Sequence, residues 1–394
     1  MSGAPLRRSP ATLLALLLAL AAAALPPAWA IAEAAAQADE DADPNATVAD
    51  AAAVAVHWWQ LWPAAALAAV VAASLILALA HPHARGRTEA LTLTPAVLAG
   101  AALPFLMLGR ALAVGGGVWL LLAGALVALW RVLALLSRGD GPARHLLVPA
   151  LFGAAVLYLW EVLVRGLDVP LILLPPPSAI AAALANDLPV LAGDFVQTVL
   201  RAALGGYLIG CGAGLAVAIL CDRFPFLARG LLPYGNLMSA VPMIGIAPIM
   251  VMWFGFGWQS KAAVVAVVTF FPMLVNALAG LAASEPLQLD LMRSYAAGYA
   301  RTLLALRLPN ALPFVFNALK LNSTLALIGA IVAEFFGTPI VGMGFRISTE
   351  VARMNLDVVW ATIAVAALTG SAAYGGLALA ERTVTAWHPS YRRR

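Results

Sequence analysis

Apolar runs of about 20 residues recur along most of the chain, and no other feature restricts its possible folds as strongly. Wound as a helix, such a run rises about 30 Å, the thickness of a bilayer's hydrocarbon layer. The runs lie near 60–80, 95–112, 116–136, 147–165, 196–221, 232–254, 261–283, 315–335 and 356–380. Of the 394 residues, 63% are hydrophobic and 11% charged, and the mean hydropathy is +0.92. A soluble domain of this size would need far more charge to cover its surface. Barrel strands would be about half as long and would alternate in polarity. The expected fold is therefore all-α, a polytopic membrane helical bundle.

Charge placement orients that bundle. The net charge is +4, and only two of the 23 basic residues are lysines, Lys261 and Lys320. Arg85 and Arg87, Arg138 and Arg144, Arg223 and Arg229, then Arg293, Arg301 and Arg307 fall in alternate loops, and Arg382 and Arg392 to Arg394 follow the last run. By the positive-inside rule these segments are cytoplasmic and agree on one topology. Such a pattern points to a membrane and not to a nucleic acid. Cys211 and Cys221 fit neither a metal site nor a disulfide framework.

Residues 1–30 read as a signal peptide or a first transmembrane span. Arg7 and Arg8 precede an apolar stretch, and Ala28-Trp29-Ala30 matches a cleavage pattern. Residues 31–56 are Ala-rich and acidic, with too few large apolar groups to pack a core, and read as an extracytoplasmic linker. Residues 57–140 hold additional spans, 147–385 a six-span core, and 386–394 a basic cytoplasmic tail. Ser178, after Leu174-Pro175-Pro176-Pro177, is expected to cap a short helix.

The most informative segment is the cytoplasmic loop 284–313. Pro286 and Pro309 bracket it, and Met292, Tyr295, Ala296, Tyr299, Leu303 and Leu306 recur at steps of three and four. That spacing predicts one apolar stripe on a helix, with Asp290, Arg293, Ser294 and Arg301 off the stripe. Such a helix either docks in a groove of another protein or lies on lipid.

Within this loop, Arg293-Ser294-Tyr295-Ala296-Ala297-Gly298 and Arg307-Leu308-Pro309-Asn310-Ala311-Leu312-Pro313 resemble the EAA loop of binding-protein-dependent ABC importer permeases. The resemblance extends to Leu174 to Ser178, Val241-Pro242, Ala247-Pro248, Trp253 to Gly257, Phe271-Pro272, Gly329 to Phe335, Gly342-Met343-Gly344 and Trp387-His388. It covers roughly 147–390. It implies a six-span, MetI-like permease core preceded by three or four extra N-terminal spans, in a bacterial inner membrane. In that family the loop is the coupling helix that sits in a cleft of the ATPase subunit. The implied partners are that ATPase, an extracytoplasmic solute-binding protein, a second permease copy forming a homodimer, and membrane lipid. The implied cargo is a small polar solute of the nitrate, sulfonate, taurine or pyrimidine branch, with Val241 to Gly257 and Phe316 to Met343 closer to the pyrimidine type. One position departs from the family. Ala296 stands where the loop glycine falls, and Gly298 comes two places later. Alanine favours helix over glycine, so the loop is expected to turn less sharply there.

No G-x-x-x-x-G-K-[ST] phosphate loop is present. The chain is therefore expected to bind no cofactor and to catalyse no reaction, with ATP and Mg held by the partner ATPase. Polar groups inside the spans are candidates for the pathway: Asn236, Ser239, Thr269, Asn276, Asn322, Thr324 and Glu334, with Pro242 as a break in the helical ladder. Each of the polar groups has an alternative role in bonding neighbouring helices to one another. An ion-driven secondary transporter would show more mid-span charge and no docking loop. A membrane scaffold or sensor is the other rival reading.

Overall fold

The computed structural model describes residues 10–31, 53–80, 87–108, 113–138, 142–240, 243–337 and 340–387. Arg7, Arg8, most of the acidic linker, Arg85, Val241, Pro242, His388 and the C-terminal arginines lie outside these residues. Asn236 and Ser239 are described only as helical backbone. Among the described residues, eight helices are long and apolar enough to cross a membrane. The chain divides into two compact units, Met1–Ser178 and Ala179–Arg394.

The first unit contains α1 (Pro10–Ala22), α2 (Trp62–Ala80), α3 (Arg87–Leu108), α4 (Gly116–Leu136) and α5 (Pro142–Gly166). Small residues set its closest packing. A Cβ on Gly124 of α4 would lie 3.1 Å from the Ala15 carbonyl oxygen of α1, and one on Gly117 would lie 2.7 Å from that of Leu25. The segment expected to be a signal peptide or first span thus forms a helix whose Ala15, Ala19 and Ala22 are buried in this unit's core. The A-x-A segment that follows lies in β1 (Ala28–Ile31), which pairs antiparallel with β2 (Ala53–Val56) and with β3 (Ala113–Val114). The last four residues of the expected linker are therefore strand.

The second unit begins within α6 (Pro177–Asn186), which starts one residue before the expected cap. Ser178 is helical, and its hydroxyl donates to Glu161 at 2.7 Å. Next come α7 (Leu188–Phe195), a wide-turned segment over Val196–Ala203, and α8 (Leu204–Arg223), joined as one rod of 36 residues. Within the run at 232–254 the described helices are α9 (Pro225–Ala240) and α10 (Met243–Phe254). Then follow α11 (Trp258–Ala282), α12 (Pro286–Ser294), α13 (Tyr299–Thr302), a second wide-turned segment over Leu303–Arg307, α14 (Leu308–Glu334), α15 (Met343–Ala352) and α16 (Leu356–Val384). The core forms where α8, α11 and α14 meet, around Cys211, Met273, Leu281 and Ala318. A stripe of Gly206, Gly210 and Gly214 on α8 lets the α11 backbone approach closely. A Cβ on Gly214 would fall 2.6 Å from the Phe270 carbonyl oxygen.

Candidate functional site

The loop 284–313 is not one helix. α12 ends at Ser294, and Ala296 takes φ +51°, the left-handed region that glycine prefers. The chain then restarts at α13 with Gly298 extended as its N-cap. The sharp turn is therefore made despite the alanine, against the sequence expectation. It also divides the expected stripe. Tyr299 and Leu303 turn into the core, whereas Tyr295 is 77% exposed. No residue of α12 is buried, and Leu287, Leu291 and Tyr295 form an exposed apolar row at steps of four. Asp290 and Arg293 pair at 2.9 Å on the surface, and the Ser294 hydroxyl donates to the Leu291 carbonyl. Ala297 is half-buried; Ala296, Gly298 and Arg301 are exposed.

Two attachments hold the loop. At α12, the Asn310 side-chain amide donates to Gln288 Oε1 at 3.1 Å and to the Ser284 hydroxyl at 3.3 Å. At α13, the Tyr299 hydroxyl donates to Asp222 Oδ2 at 2.9 Å, and Arg307 Nη1 donates to Asp222 Oδ1 at 2.5 Å. The Arg223 guanidinium lies 4.8 Å from the centre of the Tyr299 ring. Leu308 and Pro309, both half-buried, open α14. α14 continues one helical rod from Tyr299, so Pro309 removes a backbone donor inside that rod, beside the wide-turned segment.

The opposite end of α14 carries a buried polar cluster. A helix start leaves N–H groups without intrahelical partners, and three consecutive donors at the start of α15 find acceptors here. Gly342 N–H donates to Asp194 Oδ1 at 2.7 Å, Met343 N–H to the Thr198 oxygen at 2.8 Å, and Gly344 N–H to Glu334 Oε2 at 2.7 Å. The Thr198 hydroxyl in turn donates to both Glu334 oxygens, at 2.8 and 3.0 Å. Arg346 Nε donates to Asp194 Oδ2 at 2.8 Å and lies near Glu350. Burial works against the Arg346 cation, but the hydrogen bond and charge of Asp194, together with Glu350, outweigh it and raise its pKa. Gly342 has φ +146°, and a Cβ there would sit 2.7 Å from the Glu334 carboxyl group. The Gly-Met-Gly sequence is thus fitted around a carboxylate. Nearby, the buried Lys261 ammonium donates to the carbonyls of Phe256 and Gly337, tying two loops together.

Most of the polar groups named from the sequence have partners inside the unit. Asn322 is fully buried and donates to the Thr269 carbonyl at 2.8 Å and to Cys211 Sγ at 3.2 Å, joining three helices. The Thr269 hydroxyl bonds the Val265 carbonyl. Asn276 and Thr324 are half-buried, and each bonds a carbonyl of its own helix. Sequence reasoning missed Asp194, Thr198, Asp222, Lys261 and Arg346. One signal was available for Asp222, since it is an acid beside Arg223 in a loop otherwise marked by basic residues.

Residues 207–385 match the family described as binding-protein-dependent transport system inner membrane component. The chain is 31% identical over 219 residues to a probable ABC transporter permease protein of Haemophilus influenzae, covering 56% of this chain and 89% of that protein. It is 28% identical over 254 residues to a putative aliphatic sulfonates transport permease of Bacillus subtilis, covering 64% and 90%. It is 29% identical over 245 residues to a formylaminopyrimidine transport permease of Halalkalibacterium halodurans, covering 61% and 96%. Nearly the full length of each relative is matched by little more than half of this chain. Together with helices able to span a membrane, these likenesses establish that the chain belongs to the binding-protein-dependent inner-membrane component family and is a multi-pass permease of the ABC importer class.

Proposed function

We propose that this permease moves a small polar solute into the cytoplasm, driven by a separate ATPase subunit that receives the exposed face of α12. The observation that carries the reading is a helix with none of its own residues buried and with Leu287, Leu291 and Tyr295 aligned outward, in the loop that resembles the family's coupling element. An apolar row of this kind gains stability only when something covers it. The partner ATPase would hold ATP and Mg, and Asp290, Arg293, Ser294 and Arg301 would form the polar rim of the contact. An extracytoplasmic binding protein would deliver cargo at the other face, and a second copy of the chain would complete the path.

For the cargo, we favour the chemistry shared by the relatives' named solutes, compact and polar. The sulfonate and formylaminopyrimidine permeases are nearly equal in identity, so identity does not choose between them. Asn276 and Thr324 are the pathway candidates that support the reading best, because neither is fully buried.

Copurification with a co-expressed ABC ATPase tests the docking. Tyr295→Asp or Leu291→Asp should weaken association by roughly tenfold or more, since a carboxylate would then have to be desolvated in an apolar contact. Membrane insertion should be unchanged. Equal recovery of the ATPase with both variants would refute the docking role. Solute movement in vesicles lacking any ATPase would favour an ion-driven transporter instead.

A further inference from the structure

We propose that Asp222 is the joint through which movement of the 284–313 loop is passed to α8 and on to α15. The proposal rests on the coupling reading above and goes beyond it by naming the residue that transmits.

Tyr299 and Arg307 are eight positions apart, and in a regular α-helix they would point about 80° away from each other. The turns over Leu303–Arg307 are wider than α. Wider turns advance fewer degrees per residue and bring Arg307 back towards the face that carries Tyr299. Both side chains then reach the two oxygens of the single Asp222 carboxylate, whose side chain is 9% exposed. The wide-turned segment thus has a mechanical reason to exist. The rods Leu188–Arg223 and Tyr299–Glu334 are fastened to each other along their length. Asp222 binds Tyr299 and Arg307 at one end, where the Tyr299 hydroxyl also meets the Ile219 carbonyl; Asn322 binds Cys211 and Tyr207 binds the Leu319 carbonyl midway; and Thr198 binds Glu334 at the far end. At that far end, Asp194, Thr198 and Glu334 together hold the first N–H groups of α15. A displacement of α13 therefore cannot leave α8 and α15 in place while the Asp222 bonds persist. A contiguous set of contacts becomes a demonstrated route only when breaking one contact uncouples its ends.

The test places a reporter thiol on α15 by Val351→Cys, a position 48% exposed. The native Cys211 and Cys221 are buried, so a membrane-impermeant maleimide should read the new thiol. The full chain is assembled with its ATPase in lipid vesicles, and labelling rates are compared without nucleotide and with ATP plus vanadate. The parent should show a nucleotide-dependent rate change. Asp222→Asn should keep the ATPase bound and hydrolysing ATP, yet shrink that rate change by about tenfold, as expected for an effect that depends on a buried charge pair. Asp222→Glu should restore part of the response, and Asp222→Asn combined with Arg307→Gln should lose no more than Asp222→Asn alone. Should Asp222→Asn fail to insert, Tyr299→Phe combined with Arg307→Gln removes both partners of the Asp222 carboxylate and carries the same test. An undiminished response in Asp222→Asn or in the Tyr299→Phe, Arg307→Gln double variant overturns the proposal. So does loss of ATPase binding as complete as that of Tyr295→Asp, because Asp222 would then belong to the docking contact. Failure of the coupling reading looks different: the parent itself would neither hold the ATPase nor respond.

Discussion

Ala296 carries a local cost that its position makes worthwhile. An L-residue at φ +51° is disfavoured by roughly 1–2 kcal/mol relative to the right-handed region. The turn it makes presents Tyr295 outward and sends Tyr299 inward. Ala296→Gly should therefore stabilise the bent loop by about 0.5–1 kcal/mol, after allowing for glycine's larger unfolded-state entropy. Slower hydrogen exchange over residues 291–298, with ATPase binding undiminished, would be the sign. Faster exchange would mean that the alanine side chain makes a contact worth more than the strain. Glu334 offers a second check. Glu334→Ala strips acceptors from Gly344 N–H and the Thr198 hydroxyl, at about 1–3 kcal/mol for each orphaned group. Glu334→Gln keeps an acceptor oxygen and should lower the thermal midpoint in detergent less than alanine does. At this scale the sequence disclosed identities but not reasons. The Gly342-Met343-Gly344 motif was visible, yet nothing in it names the carboxylate eight positions earlier that would clash with a side chain at Gly342.

At the scale of helices, hydrophobic length was enough to locate most spans, because a run that fills the hydrocarbon layer has few other folds open to it. Where that logic failed, backbone geometry decided. The stripe from Met292 to Leu306 has helical spacing, but it crosses a turn that an alanine conceals. Contact between helices was legible only in hindsight, from the four-residue spacing of Gly206, Gly210 and Gly214. This gives a paired prediction. A Cβ on Gly210 would lie 2.5 Å from the Ala266 carbonyl oxygen, so Gly210→Ala should force α8 from α11 and cost about 1–3 kcal/mol. Gly212 has nothing within 4 Å of the same atom, so Gly212→Ala should be neutral or stabilising by up to about 1 kcal/mol, as alanine favours helix. Thermal unfolding of both variants in detergent separates packing from propensity. Equal midpoints would show that α8 and α11 yield to each other at no cost.

For the whole molecule, the division after Ser178 does not coincide with the start of the expected core at 147. α5, read from the sequence as the first core span, has its described partners in the first unit. The Tyr158 hydroxyl donates to the Ala101 carbonyl at 2.6 Å, and its ring packs on Phe105 with centroids 5.7 Å apart. Residues 207–385 carry the family match, and the Asp222 joint, the Asn322 bonds and the α15 cluster all lie within 179–394. The features assigned to coupling therefore need no residue before 179. Removal of residues 1–140 should then leave ATPase copurification intact, while α5 loses a hydrogen bond worth about 1 kcal/mol and the apolar cover of α3. Lower expression or a lower thermal midpoint is expected alongside an unchanged ATPase yield per inserted chain. If the yield per inserted chain falls as far as it does with Tyr295→Asp, docking would depend on the first unit. The extra spans would then be part of the coupling apparatus rather than an addition to it.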